Sequence, residues 1–426
     1  MTTICHISTW DRSGGAAIAA HRLHKSLLNL GCGSSMFVQN RLLNREVDIF
    51  QFQRSPKFHL KVLRRLRGLN LELSKKLYTF QRPEGLDKFT DDRSGYCGEF
   101  IDAVPPSEIL HFHWAADFIQ MGNVVRRIGG QVPLVFTLHD MNLFTGGCHY
   151  DLNCGKFKTQ CGACPQLGSN FLRDRAYCNF LRRRRAFKKL GSSDVKIVCP
   201  SAWMASEAAS SKVLGHLDVE VIANGIDLDI FYARNKDNAR EALGIPKHMR
   251  VVLFVSEATA NKRKGLGLLV EALSAMTRKS GLLLLTVGNG IPENLPQLPH
   301  VHIGSINSES LMASVYSAAD LFVAPYEQDN LPNTIIESMA CETPVVAFDT
   351  GGIPEIVTHR LNGILLREKS ANELGKELDT LLASDNEISR LSAGCRSEVE
   401  RKFDSTKQGK RYLELYETLL AERDER

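Results

Sequence analysis

The 426 residues carry 53 Lys/Arg against 48 Asp/Glu, with 43% hydrophobic and 24% charged residues, which excludes a disordered chain and fits a soluble globular enzyme. The length exceeds what one hydrophobic core usually supports, so two domains are expected. The net charge of +5 is uneven: residues 1–190 hold 28 Lys/Arg against 15 Asp/Glu and the remainder 25 against 33, so the first half is expected to meet something anionic.

The N-terminal "MTTICHIST" reads as a first strand and not as a signal peptide, and no apolar run approaches the ~20 residues that span a bilayer. The loop "WDRSGG" follows, then a helix over "AAIAAHRLHKSLLNLG", with Ile18, Leu23, Leu27 and Leu28 at helical spacing and Gly31 as its stop. Gly14 and Gly15 would let the backbone approach a ligand closely. A dinucleotide fingerprint is the rival, but "SGGAAIA" lacks the second and third glycines, and no acid follows the second strand "SSMFVQ", which argues against an oxidoreductase.

Residues 57–80, "KFHLKVLRRLRGLNLELSKKLYTF", mix seven Lys/Arg with a leucine-rich face, and "LRRRRAFKK" (181–189) adds charge. No stacking aromatics are interleaved in a nucleic-acid module, so an anionic membrane surface is the expected partner, with a merely solvated charged face as the alternative. Strands are expected at 109–114, 133–140, 195–201 and 219–227, short apolar runs of the kind a buried parallel sheet requires. His111 and His113 alternate on the first of these and share a side, as core or acceptor-site groups. Between the strands expected at 133–140 and 195–201 lies C-x5-C-x6-C-x2-C: Cys148, Cys154, Cys161 and Cys164. Four thiolates suffice for a structural zinc, and reduced thiols or a labile disulfide are the alternatives. The eleven cysteines form no secreted-type framework, so a reducing cytoplasm is expected.

The second half repeats the grammar, with strands at 251–257, 281–290, 301–306, 320–327 and 344–352 and helices near 266–278, 309–319 and 333–341. The α/β pattern predicts two doubly wound Rossmann-like domains facing a cleft, divided as 1–200 and 201–404, with an amphipathic helix over 405–426 packing back on the first. In "APYEQDNLPNTIIESMACETPVVAF" (324–348), Pro332 starts a helix. Asp329 then lies on the loop and Glu337 inside the helix, and the two can bracket a ligand whose phosphate rests on the helix N-terminus. A capping box from Thr334 to Glu337 is the plain alternative.

This last segment resembles the E-x7-E region of the retaining family-4 glycosyltransferases of the GT-B fold, with Asp329 at the first acid and Glu337 at the second. "SGGAAIAAHRL", "FTLHD", "ANGIDLDIF" and "KRKGLGLLVEAL" are similar to that family's other marks, and "TLHDMNLFTGGCHYDLNC…CGACPQL" resembles its colanic-acid-type branch. The resemblance implies a hexosyl transfer with retention, in surface polysaccharide biosynthesis, from a nucleotide-diphosphate sugar to a glycan or lipid-linked acceptor. No metal or other cofactor is required for that chemistry, and no nucleic acid takes part. Cytoplasmic location, peripheral at the inner face of the membrane, is expected. Lys264 would meet the diphosphate with the amides near Asn333 and Thr334, Glu337 the ribose, and Asp329 and His139 the donor sugar. Glu327 is a stand-in for the first acid, which is one methylene short here. The family's Arg, five residues before the lysine, falls at Thr259, leaving Arg263 or Lys262 to supply the second cation. A sugar-nucleotide epimerase or phosphorylase, or a non-catalytic nucleotide-sugar-binding scaffold, are the alternatives on the same fold.

Overall fold

The first strand forms as read, β1 (Thr3–Trp10), and α1 (Gly15–Asn29) follows it, stopped where Gly31 takes a positive φ of 78°. The computed structural model describes every residue except 1, 45, 97, 98, 192, 193, 293, 294, 296 and 426. The chain divides into two units, Met1–Ala223 with Gln408–Arg426, and Asn224–Lys407.

The first unit continues with β2 (Gly33–Asn40), β3 (Ile49–Gln51), α2 (Phe58–Thr79), β4 (Ile109–Phe112), α3 (Met121–Ile128), β5 (Leu134–Thr137), α4 (Arg175–Phe187), β6 (Val195–Cys199), α5 (Ala202–Ser210) and β7 (Val219–Val221). Its seven strands lie in the order β3-β2-β1-β4-β5-β6-β7, all parallel. The strand order reverses between β1 and β4. The division falls at Ala223 and not at the expected 200, because β6 and β7 extend this unit's own sheet: Ile197 pairs with Val219 and Leu134 with Val195.

The second unit comprises α6 (Lys236–Ala242), β8 (Arg250–Ala258), α7 (Leu266–Ala275), β9 (Leu282–Asn289), β10 (His300–His302), α8 (Glu309–Ala318), β11 (Leu321–Ala324), α9 (Asn333–Ala340), β12 (Val345–Phe348), β13 (Gly363–Leu366), α10 (Ala371–Leu382) and α11 (Asp385–Lys402). Its parallel sheet runs β10-β9-β8-β11-β12-β13, so its switch point lies between β8 and β11. The runs "VVLFV" and "LLLL" are buried throughout, as strands covered on both faces must be.

The last helix, α12 (Ser405–Asp424), returns to the first unit from Gln408 onward. Tyr412, Leu415, Tyr416 and Leu419 pack into a buried cluster with Ile4, Leu23, Ile109 and Val198. Its tyrosines are also tied by polar contacts, Tyr412 Oη to Thr137 Oγ1 at 2.7 Å and Tyr416 Oη to His111 Nδ1 at 2.6 Å. Among the described residues no helix is long and apolar enough to cross a membrane. The basic segment at 57–80 does form a helix, α2, but none of its 22 residues is buried.

Candidate functional site

Open parallel sheets place ligands beyond the strand C-termini at the switch point, and in the second unit two loops meet there. After β8 comes a single 3-10 turn, Lys262–Lys264, and after β11 comes the loop 325–332. Gly265, with φ +75°, sits so close that a Cβ would lie 2.0 Å from the Pro325 carbonyl oxygen, which makes glycine obligatory where the two loops touch.

Three charges lock together across this contact. Lys264 Nζ donates to Asp329 Oδ2 at 2.6 Å and Arg263 Nη1 to the same oxygen at 2.9 Å. Arg263 Nη1 also donates to the Gln328 carbonyl at 2.7 Å, and the Asn330 amide donates to Asp329 Oδ1 at 2.9 Å. Asp329 is buried. Burial alone would raise its pKa, but Lys264 and then Arg263 hold the carboxyl far below the usual carboxylate range. Its backbone is clamped as well: Gly352 N–H donates to the Asp329 carbonyl at 3.0 Å, and a Cβ at Gly351 (φ +59°) would come within 1.8 Å of that oxygen.

Tyr326 couples this triad to α9. Lys264 Nζ stands 4.0 Å from the centroid of its ring, and Tyr326 Oη lies 3.1 Å from Thr334 Oγ1 in the first turn of the helix. Thr334 is inside α9, which begins at Asn333 with Pro332 before it. A capping box from Thr334 to Glu337 is therefore not what the structure shows. Glu337, one turn in and buried, accepts a 2.9 Å hydrogen bond from Tyr316 Oη through Oε2. Asn333 is tied to the start of the unit by a 3.0 Å bond from Asn224 Nδ2.

The structure thus gathers Arg263, Lys264, Asp329, Asn333, Thr334 and Glu337 on neighbouring loops and one helix end. Glu327 is not among them: its side chain is exposed, while its amide bonds the Arg263 carbonyl and its carbonyl accepts from Lys369 Nζ. Thr259 is buried and donates to the carbonyls of Asn289 and Gly290, both at 3.1 Å, so it closes the β8–β9 ends and bears no charge. Arg263 joins Lys264 on Asp329, while Lys262 is exposed. Tyr316, Tyr326 and Gly351 were not singled out from sequence; only "DTGG" after a strand offered a signal for the last.

Gly14, Gly15 and His139 belong to the first unit. Gly14 takes φ 83° immediately before α1, and Gly15 is the first residue of that helix. His139, beyond β5, ends a chain of imidazoles: its Nε2 lies 3.0 Å from His113 Nδ1, and His113 Nε2 lies 3.0 Å from His6 Nδ1. His6 Nε2 is buried without a hydrogen-bond partner. An orphaned N–H is the rarer state in protein interiors, so the proton belongs on His6 Nδ1. The chain then donates in one direction, and His139 accepts at Nε2 and carries its proton on Nδ1. Burial brings the His139 pKa down to about 4, against the opposing charge of Asp140, so this is a neutral hydrogen-bond donor at physiological pH. Replacing His113 with leucine is expected to release the chain and mix the two His139 tautomers, whereas His113→Gln, which can accept and donate in turn, should preserve the single form. Two-bond nitrogen–proton NMR spectra read this directly, and a tautomer mixture in the parent protein would remove the assignment.

His6, His111 and His113 also bring ligand nitrogens within 4.8 Å of one another. His111 spends both nitrogens on Tyr416 and Thr137 (2.6 and 2.7 Å), so the cluster is a hydrogen-bonded core and not a ready metal centre. A cavity of about 650 Å³ in the same unit runs from His139 between α3 and α4, with Val125, Phe136 and Leu190 on its walls and Arg126, Arg185 and Lys189 at its edge.

The four cysteines fall in one neighbourhood, three buried and Cys154 half-buried. Burial pushes the Cys161 thiol up to about 12, with Cys164 and Cys154 adding to the rise. Yet no three of their sulfurs come within 4.8 Å of one another among the described residues, so the closed tetrahedral set expected of a zinc site is not assembled. The loop is held by protein groups instead: Lys156 Nζ donates to the carbonyls of Gly162 and Ala163 at 3.0 and 2.6 Å.

A family model described as Glycosyltransferase Family 4 matches residues 13–230, about half of the chain, and one described as Glycosyl transferases group 1 matches residues 249–384. The D-inositol 3-phosphate glycosyltransferase of Segniliparus rotundus is 30% identical over 205 residues, 45% of this chain and 45% of that protein. The chain thus spans about half the length of this first relative. The Bacillus subtilis protein named for teichuronic acid biosynthesis as glycosyltransferase TuaC is 25% identical over 317 residues, 73% of this chain and 71% of its own. Sucrose-phosphate synthase from Thermosynechococcus elongatus shares the fold with a TM-score of 0.69 at 19% identity, over 99% of this chain and 100% of that one. Anabaena Alr3699/HepE, solved in complex with UDP and glucose, does so with a TM-score of 0.66 at 15% identity, over 98% and 100%.

Proposed function

We propose, on the premise that this chain belongs to Glycosyltransferase Family 4, that it transfers a hexosyl group with retention from a nucleotide-diphosphate sugar to a glycan or lipid-linked acceptor in surface polysaccharide biosynthesis. The observation that carries the reading is the Lys264–Arg263–Asp329 cluster, joined through Tyr326 to the first turn of α9 with Glu337 one turn in. Cleavage of the donor leaves negative charge on a diphosphate, and cations with a helix N-terminus are what stabilises such a charge as it develops. Lys264 and the α9 amides would receive the phosphates, and Glu337 would accept from the ribose hydroxyls. Asp329, already engaged by two cations and one amide, acts mainly by aiming Lys264 and Arg263.

His139, neutral at physiological pH, stands in the other unit beside a cavity whose apolar walls suit an acceptor with a lipid part. The names of TuaC and of WaaG, described as involved in lipopolysaccharide biosynthesis, support the polysaccharide role, and the complexes of Alr3699/HepE with UDP and UDP-glucose support a nucleotide-sugar donor. Such work is done at the inner face of a membrane, with no metal demanded by the residues gathered at α9. A non-catalytic nucleotide-sugar-binding protein is the second reading, favoured only by the full engagement of Asp329.

Glu337→Ala is expected to weaken nucleoside diphosphate binding tenfold to a hundredfold, about the worth of hydrogen bonds to a charged carboxylate, while the protein stays folded. Calorimetry with UDP and GDP checks this, and unchanged affinity would refute the role. Release of nucleoside diphosphate across a panel of UDP- and GDP-sugars separates transferase from binding protein.

A further inference from the structure

A helix on a globular unit normally turns its apolar stripe toward the core; α2 does the reverse. Val62, Leu66, Leu69, Leu73, Leu77 and Phe80 recur at spacings of three and four, so they share one face, and all are exposed, Leu77 at 80% and Phe80 at 87%. The opposite face is held to the unit by polar and aromatic contacts. Arg64 donates to Glu99 and to the Ser55 carbonyl, Arg93 Nη2 and Arg175 Nη2 reach Ser74 Oγ, and Tyr78 packs on Phe89. Burying the stripe inward was open to a sequence with this many leucines, and the unit instead spends arginines to hold the helix the other way out. A contiguous apolar face of this length on a soluble unit marks an interaction site.

The charges choose the occupant. Residues 57–80 carry seven Lys/Arg and a single acid, Glu72, and Lys61, Arg65 and Lys76 border the stripe and are exposed. A second copy would set two strongly basic helices against each other, whereas an anionic bilayer neutralises them and accepts the leucines. The helix is not apolar enough to cross a bilayer. We propose that α2 lies in the plane of an anionic phospholipid surface, with Val62 to Phe80 sunk among the acyl chains and Lys61, Arg65 and Lys76 reaching the headgroups. This rests on the exposure of α2 and not on the transfer chemistry, so either can fail without the other.

The test is flotation of the full chain with phosphatidylglycerol-containing vesicles and with pure phosphatidylcholine vesicles, at low and high salt. Binding is expected to phosphatidylglycerol and to weaken with salt. Leu66→Glu with Leu73→Glu, two exposed positions whose change leaves the fold intact by circular dichroism, should weaken it roughly a hundredfold, the worth of two leucines kept in water. A Leu73→Trp variant should be quenched by brominated lipid beyond the parent protein. No binding to phosphatidylglycerol vesicles at low salt overturns the proposal, as does undiminished binding by the double variant. A dimer that the double variant abolishes, without vesicle binding, overturns it too and gives the face to a second copy.

Discussion

Mild acid is expected to unfold the N-terminal unit, with a midpoint of about pH 5–6, while the other unit stays folded. His6, His24, His111, His113 and His139 are all held below their ordinary value of 6.5, first by burial, with His24 brought to about 3 and His139 to about 4. Neighbouring imidazoles deepen the effect for His6 and His113, and no carboxylate rescues them; Asp140 raises only His139, and Glu46 only His21 and His24. The sign follows from proton counting. Between the folded and unfolded values the unfolded chain binds more protons, so stability is complete above about pH 6.5 and falls as the pH drops below it. Each buried imidazole forfeits about 1.4 kcal/mol per pH unit, and five together about 7 kcal/mol, against a domain stability of about 5–15 kcal/mol. The three tryptophans, Trp10, Trp114 and Trp203, all lie in this unit, so their fluorescence follows it alone. The expected transition takes up about five protons; one that begins only below about pH 4 would overturn the argument.

Much of this was legible beforehand, for identifiable reasons. Strands buried on both faces write continuous apolar runs, so β8 and β9 were readable almost to the residue and β11 at its start, and Pro332 marked the start of α9. Short edge strands such as β3 and β13 have too few residues to show a period. The division between units falls later than residue 200 because a boundary depends on which sheet a strand joins, and β7 looks the same in sequence whichever unit it extends. At the site, residue types spaced along the chain pointed to Lys264, Arg263 and Glu337. What sequence could not show is that Asp329 and two cations close on one another across two loops. Nor could it show that Tyr316 and Tyr326 fill the gaps, since such contacts depend on the switch point bringing β8 and β11 side by side. The imidazole chain was visible in part, in His113 and His139; His6 joins it only through the register of β1 against β4.

Asp329→Ala and Lys264→Ala are expected to fail in opposite ways, and the contrast tests the triad itself. Removing the carboxylate takes from Arg263 and Lys264 the buried acid that both of them hold. Breaking a buried pair from one side costs about 3–5 kcal/mol, so the variant should melt well below the parent. A nucleoside diphosphate supplies the missing negative charge if the phosphates sit where proposed, so UDP or GDP should raise its melting temperature by more than it raises the parent's. Removing Lys264 leaves Asp329 still paired with Arg263 at 2.9 Å, so stability should change little. The loss then falls on the transition state, about 10²–10³-fold in turnover, as for other groups aimed at developing charge, and the thermal shift from UDP or GDP should shrink. Thermal melts with and without nucleotide, alongside initial rates on the active donor, distinguish the two. If Asp329 instead held the donor sugar directly, its alanine variant would keep its stability and lose its ligand-induced shift; equal shifts in both variants would likewise dissolve the idea that this carboxylate holds the phosphate cations in place.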